Sequence, residues 1–382
     1  MRELNFIKAH QLEWREKPNP RLEQPRDAIV RPFVAGRCDG DTLPIHRNVS
    51  RAMQLGMKAG LVDPIVGSIC GHIPFQGPFA IGHECIAEIV ELGDEVTGLQ
   101  IGDIVVVPWA VSCGECVECR RGLTAKCSTT STSTLAAYGF GPASGPWGGM
   151  VVDRLRVPYA DHMLVKVPAG VDPLRVAAAS DNLADAWRCV APGLAERPGG
   201  SVVILGGAAQ SIGLYAAGLA VALGAGTVDY VDHRPERLAI AEKLGATPRQ
   251  VRMGKLRPAD LPGRYDLAVE GTSSAAGVDA ALRSLTPGGL CTPVGYYVPP
   301  GTKVPLMQMY ANTATLRISV SHVRPVLPEL LKFVADTDFP AELVTTTLAD
   351  WDDAPNAYQA RTTKLVLHRA PQHERNTRTW AH

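Results

Sequence analysis

The 382-residue chain carries no surplus charge of either sign, because 38 Lys and Arg balance 38 Asp and Glu. That balance argues against a general nucleic-acid binder, which needs a basic surplus to displace counterions. It equally argues against attachment to acidic lipid by charge. The opening residues, MRELNFIKAHQLEW, lack the long apolar run of a secretory signal. Nine cysteines are too sparse for a disulfide scaffold in a chain of this length. There is no internal repeat and no low-complexity tract. What is present is a globular composition: 46% hydrophobic against 20% charged residues excludes disorder and supplies a large core. The length suits roughly two or three domains. A soluble, cytoplasmic protein is the expectation.

One segment tests that expectation. Ser201 to Val228 is 28 residues without a charge, long enough to span a bilayer. Its pattern reads otherwise. SVVIL is a short β-branched run, GGAAQS a Gly/Ala turn, and IGLYAAGLAVALGA a helix-length apolar stretch. A helix packed beneath a parallel sheet is apolar nearly all round, so strand, turn and helix account for the segment.

Composition changes near Asp172. Before it, short strands such as DAIVRPFVAG, CIAEIVELGDEV and GDIVVVPWAV are punctuated by Gly-Asp pairs, as in an all-β, partly closed barrel. After it, strand-like and helix-like runs alternate (VVILGG, then SIGLYAAGLAVALGA; VDYVDH, then RPERLAIAEKLGA; YDLAVEG, then AAGVDAALRSL). This is the mark of a doubly wound parallel sheet. After Val323 come a further helix, PELLKFVAD, and one strand, KLVLHRA, expected to return to the first domain. The polar tail PQHERNTRTWAH is expected to fray.

The strongest local signal is Cys113-x2-Cys116-x2-Cys119-x7-Cys127. Four thiolates so close suit one tetrahedral Zn²⁺, and an all-cysteine site is structural. An iron–sulfur cluster fits the ligand type but lacks an electron-transfer rationale elsewhere in the chain. Gly114 and Gly122 relieve crowding in the tight loop.

LGGAAQSIG follows a strand and opens a helix without matching G-x-G-x-x-G. Gly206, Gly207, Ala208, Gln210, Ser211, Ile212 and Gly213 form a turn that lets backbone N–H groups approach a pyrophosphate. Asp232 lies 19 residues beyond Gly213. A carboxylate there bonds ribose hydroxyls and repels a 2′-phosphate, which favours NAD. Arg234 and Arg237 leave NADP open, with Arg237 expected to face solvent on the following helix.

Cys38 in AGRCDGD and His83-Glu84 in IGHECIAEI mean little singly. Together with the cysteine loop and the Gly-rich turn, in this order, they resemble the zinc-dependent medium-chain alcohol dehydrogenases, over about residues 25 to 368. AAASDNLADAWRCV and WGGMVVDRLRVPYADHMLVKVP look like the formaldehyde-dehydrogenase-like branch. The resemblance implies a GroES-like partly open β-barrel catalytic domain, residues 1–172 with 324–382. It also implies a Rossmann cofactor domain, residues 173–323. It makes Cys38, His83 and Asp181 the ligands of a catalytic zinc, in addition to the structural zinc. Asp41 is then the carboxylate that hydrogen-bonds the zinc-binding His, and Glu84 the one behind the metal. A thiolate, an imidazole and a carboxylate leave a fourth position to substrate. Cys85, next to the site, is an alternative ligand, with packing the favoured role.

Three departures stand out. Gly40 occupies the place of the family's proton-passing Ser or Thr, and Thr42, Asp39 and His46 are off the expected spacing. Asp185 replaces a Thr near the nicotinamide, and a buried carboxylate there is expected to be paired or solvated. Cys38 to His83 spans 45 residues, with a surplus over about 47–78 that reads equally as a surface insertion or a pocket wall. His72 within it is not expected to bind metal. The expected activity is hydride transfer between a small alcohol, aldehyde or polyol and NAD(P), in a homodimer or homotetramer. The alternatives are a zinc-independent quinone or enoyl reductase and a non-catalytic zinc- and nucleotide-binding protein.

Overall fold

The computed structural model describes residues 1–131, 133–252 and 256–373. Two compact units divide the chain: Met1–Ala184, His322–Asp336 and Thr345–His382 form the first, and Asp185–Ser321 with Thr337–Val344 the second. The strands of the first are β1 (Arg2–Lys8), β2 (Gln11–Glu16), β3 (Ala28–Gly36), β4 (Phe79–Ala80), β5 (Cys85–Leu92), β6 (Ile104–Val107), β7 (Leu155–Val157) and β8 (Val165–Lys166). The second contributes β9 (Ser201–Leu205), β10 (Thr227–Asp232), β11 (Thr247–Gln250), β12 (Tyr265–Glu270), β13 (Leu285–Pro293) and β14 (Thr315–Leu316). The chain then returns to the first with β15 (Thr347–Asp350) and β16 (Leu365–His368).

In the first unit β2-β1-β4 make a small sheet, and β15-β16-β3-β5-β6-β8, with β7 on β3, make a larger one. Apolar side chains of both meet in one core that includes Leu4, Val30, Ile89, Val107, Met150 and Leu365. β3 is central because CIAEIVEL and LVLH both pair with it. Pro32 lacks an N–H for the β5 ladder, and the register shifts between Pro32 and Val34. Its carbonyl accepts instead from Arg369 Nε at 2.9 Å. The expected return of KLVLHRA is realised: Val366, Leu367 and His368 lie opposite Gly36, Ala35 and Val34.

The chain changes composition near Asp172, yet the first unit keeps it through Ala184. Ser180 exchanges hydrogen bonds with the backbone of Cys85, and Asn182 donates its backbone N–H to Glu84. These bonds hold the stretch against β5 before the alternating pattern takes over.

The second unit is a parallel sheet in the order β11-β10-β9-β12-β13-β14. Starting centrally at β9 and reversing at β12 creates a switch point beyond the strand ends, where such sheets bind ligands. The uncharged segment is β9, a turn, and the helix Gln210–Ala222, buried from Ser211 to Ala220. No helix of the described residues is long and apolar enough to cross a membrane.

The surplus over 47–78 folds as two short helices, Ser50–Lys58 and Ile65–Cys70, without a buried residue. Leu55, Leu61 and Ile65 are exposed. The tail expected to fray is anchored at its start, because the backbone N–H groups of Gln372 and His373 donate to buried Glu88 at 2.7 and 3.1 Å. The rest of that expectation, residues 374–382, lies outside the described residues.

Leu367 is fully buried in β16 beside β3. Leu367→Ala will lower the stability of the first unit by about 2–5 kcal/mol, read as an earlier midpoint in denaturant unfolding.

Candidate functional site

Three segments of the first unit deliver one donor each to a common point. Cys38 follows β3 and caps the turn Asp39–Asp41, accepting the N–H of Gly40 at 3.4 Å. His83 lies two residues before β5, and Asp181 immediately precedes the helix Asn182–Glu196. Cys38 Sγ lies 3.0 Å from Asp181 Oδ2, and His83 Nε2 lies 3.4 Å from the same oxygen. Each pair among the three donors is within 4.8 Å.

Neither ring nitrogen of His83 has a hydrogen-bond partner among the described residues, although the ring is buried. A buried polar atom left unpaired costs about 1–3 kcal/mol. Asp41 Oδ1 stands 3.7 Å from His83 Nδ1, too far for a hydrogen bond but on the side expected of a carboxylate orienting a ligand. An orphaned imidazole nitrogen, a thiol and a carboxylate converging at this separation fit a Zn²⁺ ion with three protein ligands.

The electrostatics agree with that fit. Burial pushes the Cys38 thiol well up, and the Asp181 and Asp41 carboxylates add to it. Burial pulls His83 down, but Asp41 and Asp181 outweigh it and raise the imidazole to about 9. Asp181 is lowered: burial opposes its charge, but the nearby His83 imidazole and the charge of Lys364 prevail. Burial raises Asp41 to about 6. A divalent cation reverses the first of these, since a coordinating thiol is deprotonated outright.

Glu84 points to the opposite side. It is fully buried and pairs with Lys364 Nζ, while its Oε1 accepts the N–H of Asn182 at 3.0 Å. Gly36 permits this approach, because a Cβ there would lie 2.1 Å from Glu84 Oε2. Sequence reasoning missed Lys364 and Asn182; a lysine ahead of an apolar strand gives no sign that it is buried. Cys85 packs in the core, outside the donor group. Thr42 Oγ1 donates to Asp39 O at 2.7 Å. Phe140 lies against the His83 ring, centroids 4.5 Å apart, and Trp109 lies 5.3 Å from Phe140.

Cys113, Cys116, Cys119 and Cys127 also bring their sulfurs within 4.8 Å of one another, and all are free thiols. Gly114 and Gly122 take φ of 81° and 80°, which glycine adopts without strain. Backbone N–H groups of Glu115 and Cys116 point at Cys113 Sγ, and that of Cys119 at Cys116 Sγ. Such donors favour thiolate, and Cys116 falls to about 6 although burial opposes it.

In the second unit the turn between β9 and the helix Gln210–Ala222 needs both its glycines. A Cβ on Gly206 would sit 2.4 Å from Asp232 Oδ2, and Gly207 has a φ of 143°. Ala208 is exposed, whereas Ser211, Ile212 and Gly213 are buried under the first helical turn. Asp232 ends β10 fully buried. Here one expectation is corrected: Arg237 does not face solvent. It is 5% exposed and donates Nε and Nη2 to the two oxygens of Asp232, both at 2.8 Å, and Nη1 to Gln210 Oε1 at 2.9 Å. A buried carboxylate beside it demands this pairing. Asp185 is likewise paired, with Arg188, whose Nη2 reaches Ser319 O at 3.1 Å.

Residues 24–169 match the family model of the alcohol dehydrogenase GroES-like domain, and residues 211–336 that of the zinc-binding dehydrogenase. A "Probable zinc-binding alcohol dehydrogenase" of Mycobacterium tuberculosis is 29% identical over 90% of this chain and 80% of its own. The glutathione-independent formaldehyde dehydrogenase of Pseudomonas aeruginosa is 39% identical over 43% of this chain and 42% of its own. The solved alcohol dehydrogenase TADH from Thermus sp. ATN1 superposes with a TM-score of 0.80 at 29% identity, over 96% of this chain and 99% of that one. The chain belongs to the zinc-dependent medium-chain alcohol dehydrogenase family. It is an oxidoreductase with GroES-like and Rossmann folds.

Glu270 ends β12 beside the turn at 206–209, where Ala209 N donates to Gly271 O at 2.9 Å. Burial raises its carboxyl to about 7 against the N–H and hydroxyl of Thr272. A carboxyl raised on folding stabilises the fold below its unfolded value near 4.5 and loses that contribution as pH climbs toward 7. Relative to wild type, Glu270→Gln will therefore gain about 2 kcal/mol between about pH 5 and about pH 8, measured by denaturant titration at both.

Proposed function

We propose that the chain is a zinc alcohol dehydrogenase that moves hydride between a small alcohol, aldehyde or polyol and NAD(P). The observation that carries this reading is the meeting of Cys38, His83 and Asp181 around one point, with the His83 ring nitrogens unpartnered among the described residues. A quinone or enoyl reductase of the same fold has no use for these donors. Cys38 Sγ, His83 Nε2 and Asp181 Oδ2 would hold the catalytic zinc, and the four cysteines of 113–127 a structural one. When bound, the catalytic ion supplies a Lewis acid that lowers the pKa of a substrate hydroxyl. Nicotinamide dinucleotide supplies the hydride acceptor.

The protein's own groups orient and shield this chemistry. Asp41, on the Nδ1 side of His83, favours the tautomer that keeps Nε2 free for the metal. Phe140 covers the His83 ring and Trp109 extends that apolar wall, which keeps water from the ligand. Gly40 carries no hydroxyl and the Thr42 hydroxyl is bonded locally, so the alcohol proton leaves by a route other than the family's Ser or Thr. The turn at Gly206 and Gly207, ahead of the helix Gln210–Ala222, receives the pyrophosphate. Asp232 favours NAD, and its pairing with Arg237 offsets its charge enough to leave NADP a substrate. A homodimer or homotetramer in the cytoplasm accords with the family.

The test is an NAD(P)-coupled screen of alcohols and aldehydes with metal analysis. Wild type is expected to hold two zinc ions per chain. Cys119→Ala will lose the structural ion. His83→Ala will lose the other and slow turnover on the order of a thousandfold, equivalent to about 4 kcal/mol. Turnover surviving His83→Ala, or a single zinc in wild type, defeats the reading.

A further inference from the structure

Asn182, next to the third donor, makes contacts that the ligand set does not require. It is fully buried at the start of the helix Asn182–Glu196. Its Nδ2 donates to Cys38 Sγ at 3.3 Å and to Asp181 Oδ2 at 3.0 Å. Its Oδ1 accepts from Lys364 Nζ at 2.8 Å. Lys364, also fully buried, donates to Arg37 O at 3.1 Å and pairs with Glu84, whose other oxygen accepts the Asn182 backbone N–H.

The direction of the amide follows from chemistry. An ammonium has three donors and no acceptor. Lys364 spends them on Glu84, Arg37 O and one end of Asn182, so that end must be the oxygen. The NH₂ group is thereby aimed at the thiol and the carboxylate. The reversed amide would set its oxygen against two anionic ligands and its NH₂ against the ammonium. Glu84 is the counter-ion that an ammonium at this depth needs.

We propose that Asn182 is a positioning residue for the catalytic metal, oriented by the buried Lys364–Glu84 pair, and that its amide tempers the charge Cys38 and Asp181 present to the ion. This rests on the reading above that Cys38, His83 and Asp181 bind zinc. Hydrogen bonds donated to a ligand atom fix its orientation and stabilise its charged, ligating form, and loss of such a partner weakens metal binding by about 10–100-fold.

The test uses the full chain, with zinc titrated against a competing chelator and Co²⁺ replacing zinc as a spectroscopic probe. The Cys38 signal is taken as the difference from Cys38→Ser, which keeps the four-cysteine metal. Asn182→Ala is expected to weaken zinc at this site by about 10–100-fold, to shift the thiolate-to-Co²⁺ band, and to leave the four-cysteine ion bound. Asn182→Asp, matched in shape, turns a donor into an acceptor facing two anions and is expected to move the same two readouts. It carries the test where the alanine variant does not fold. Wild-type zinc affinity and an unshifted band, with only a lower Tm, would make Asn182 a structural residue and overturn the inference. A wild-type protein without a Cys38-dependent Co²⁺ band would instead overturn the zinc reading itself, and the inference with it.

Discussion

Cys38, His83 and Asp181 converge within 4.8 Å of one another, the first two buried, and the rest of the first unit's site is arranged around that convergence. Two of the three would become anionic on binding a metal, and among the described residues neither imidazole nitrogen has a hydrogen bond. Such a group is unfavourable by itself. Lys364 lends a positive charge that helps keep Asp181 ionised, but its own donors are taken up by Glu84, Arg37 and Asn182. In the proposed reading a cation at the centre of the donors would resolve the imbalance, giving the thiol a reason to ionise and the imidazole nitrogen a partner.

The fold serves this constraint by anchoring each donor at the end of a regular element. β3 delivers Cys38, β5 begins just after His83, and a helix begins just after Asp181. Sites built on rigid elements hold their geometry better than sites on free loops. The Ser180–Cys85 and Asn182–Glu84 bonds tie the third donor to the strand that follows the second. This explains why the first unit retains the chain past the point where its composition changes.

The second unit shows the same logic with a different charge pattern. Asp232 is buried beneath the turn at Gly206 and Gly207, and Gly206 is small enough to let it lie there. Desolvation of that carboxylate calls for a counter-ion, and Arg237 folds inward to supply one while bridging to Gln210 of the turn. From sequence, an arginine on a helix surrounded by polar residues looks solvent-facing; burial of its neighbour decides otherwise.

Much was legible in the linear chain because some chemistry is local. The four cysteines of 113–127 sit within one loop, so their spacing alone announced a metal-like cluster. The alternation of strand and helix patterns, with the Gly/Ala turn at 206–209, revealed the parallel sheet. Cys38, His83 and Asp181 were recognisable only through likeness to a family, since residues this far apart carry no mutual signal. Lys364 and Asn182 were invisible: one lies near the far end of the chain from Glu84, and the other is a plain amide. Their partners are chosen by packing, which brings distant polar groups into a dry interior where each must be matched. Periodicity, turn residues and close-set ligands are written along the chain, whereas the pairing of buried charges is settled only when the tertiary fold excludes water from between them.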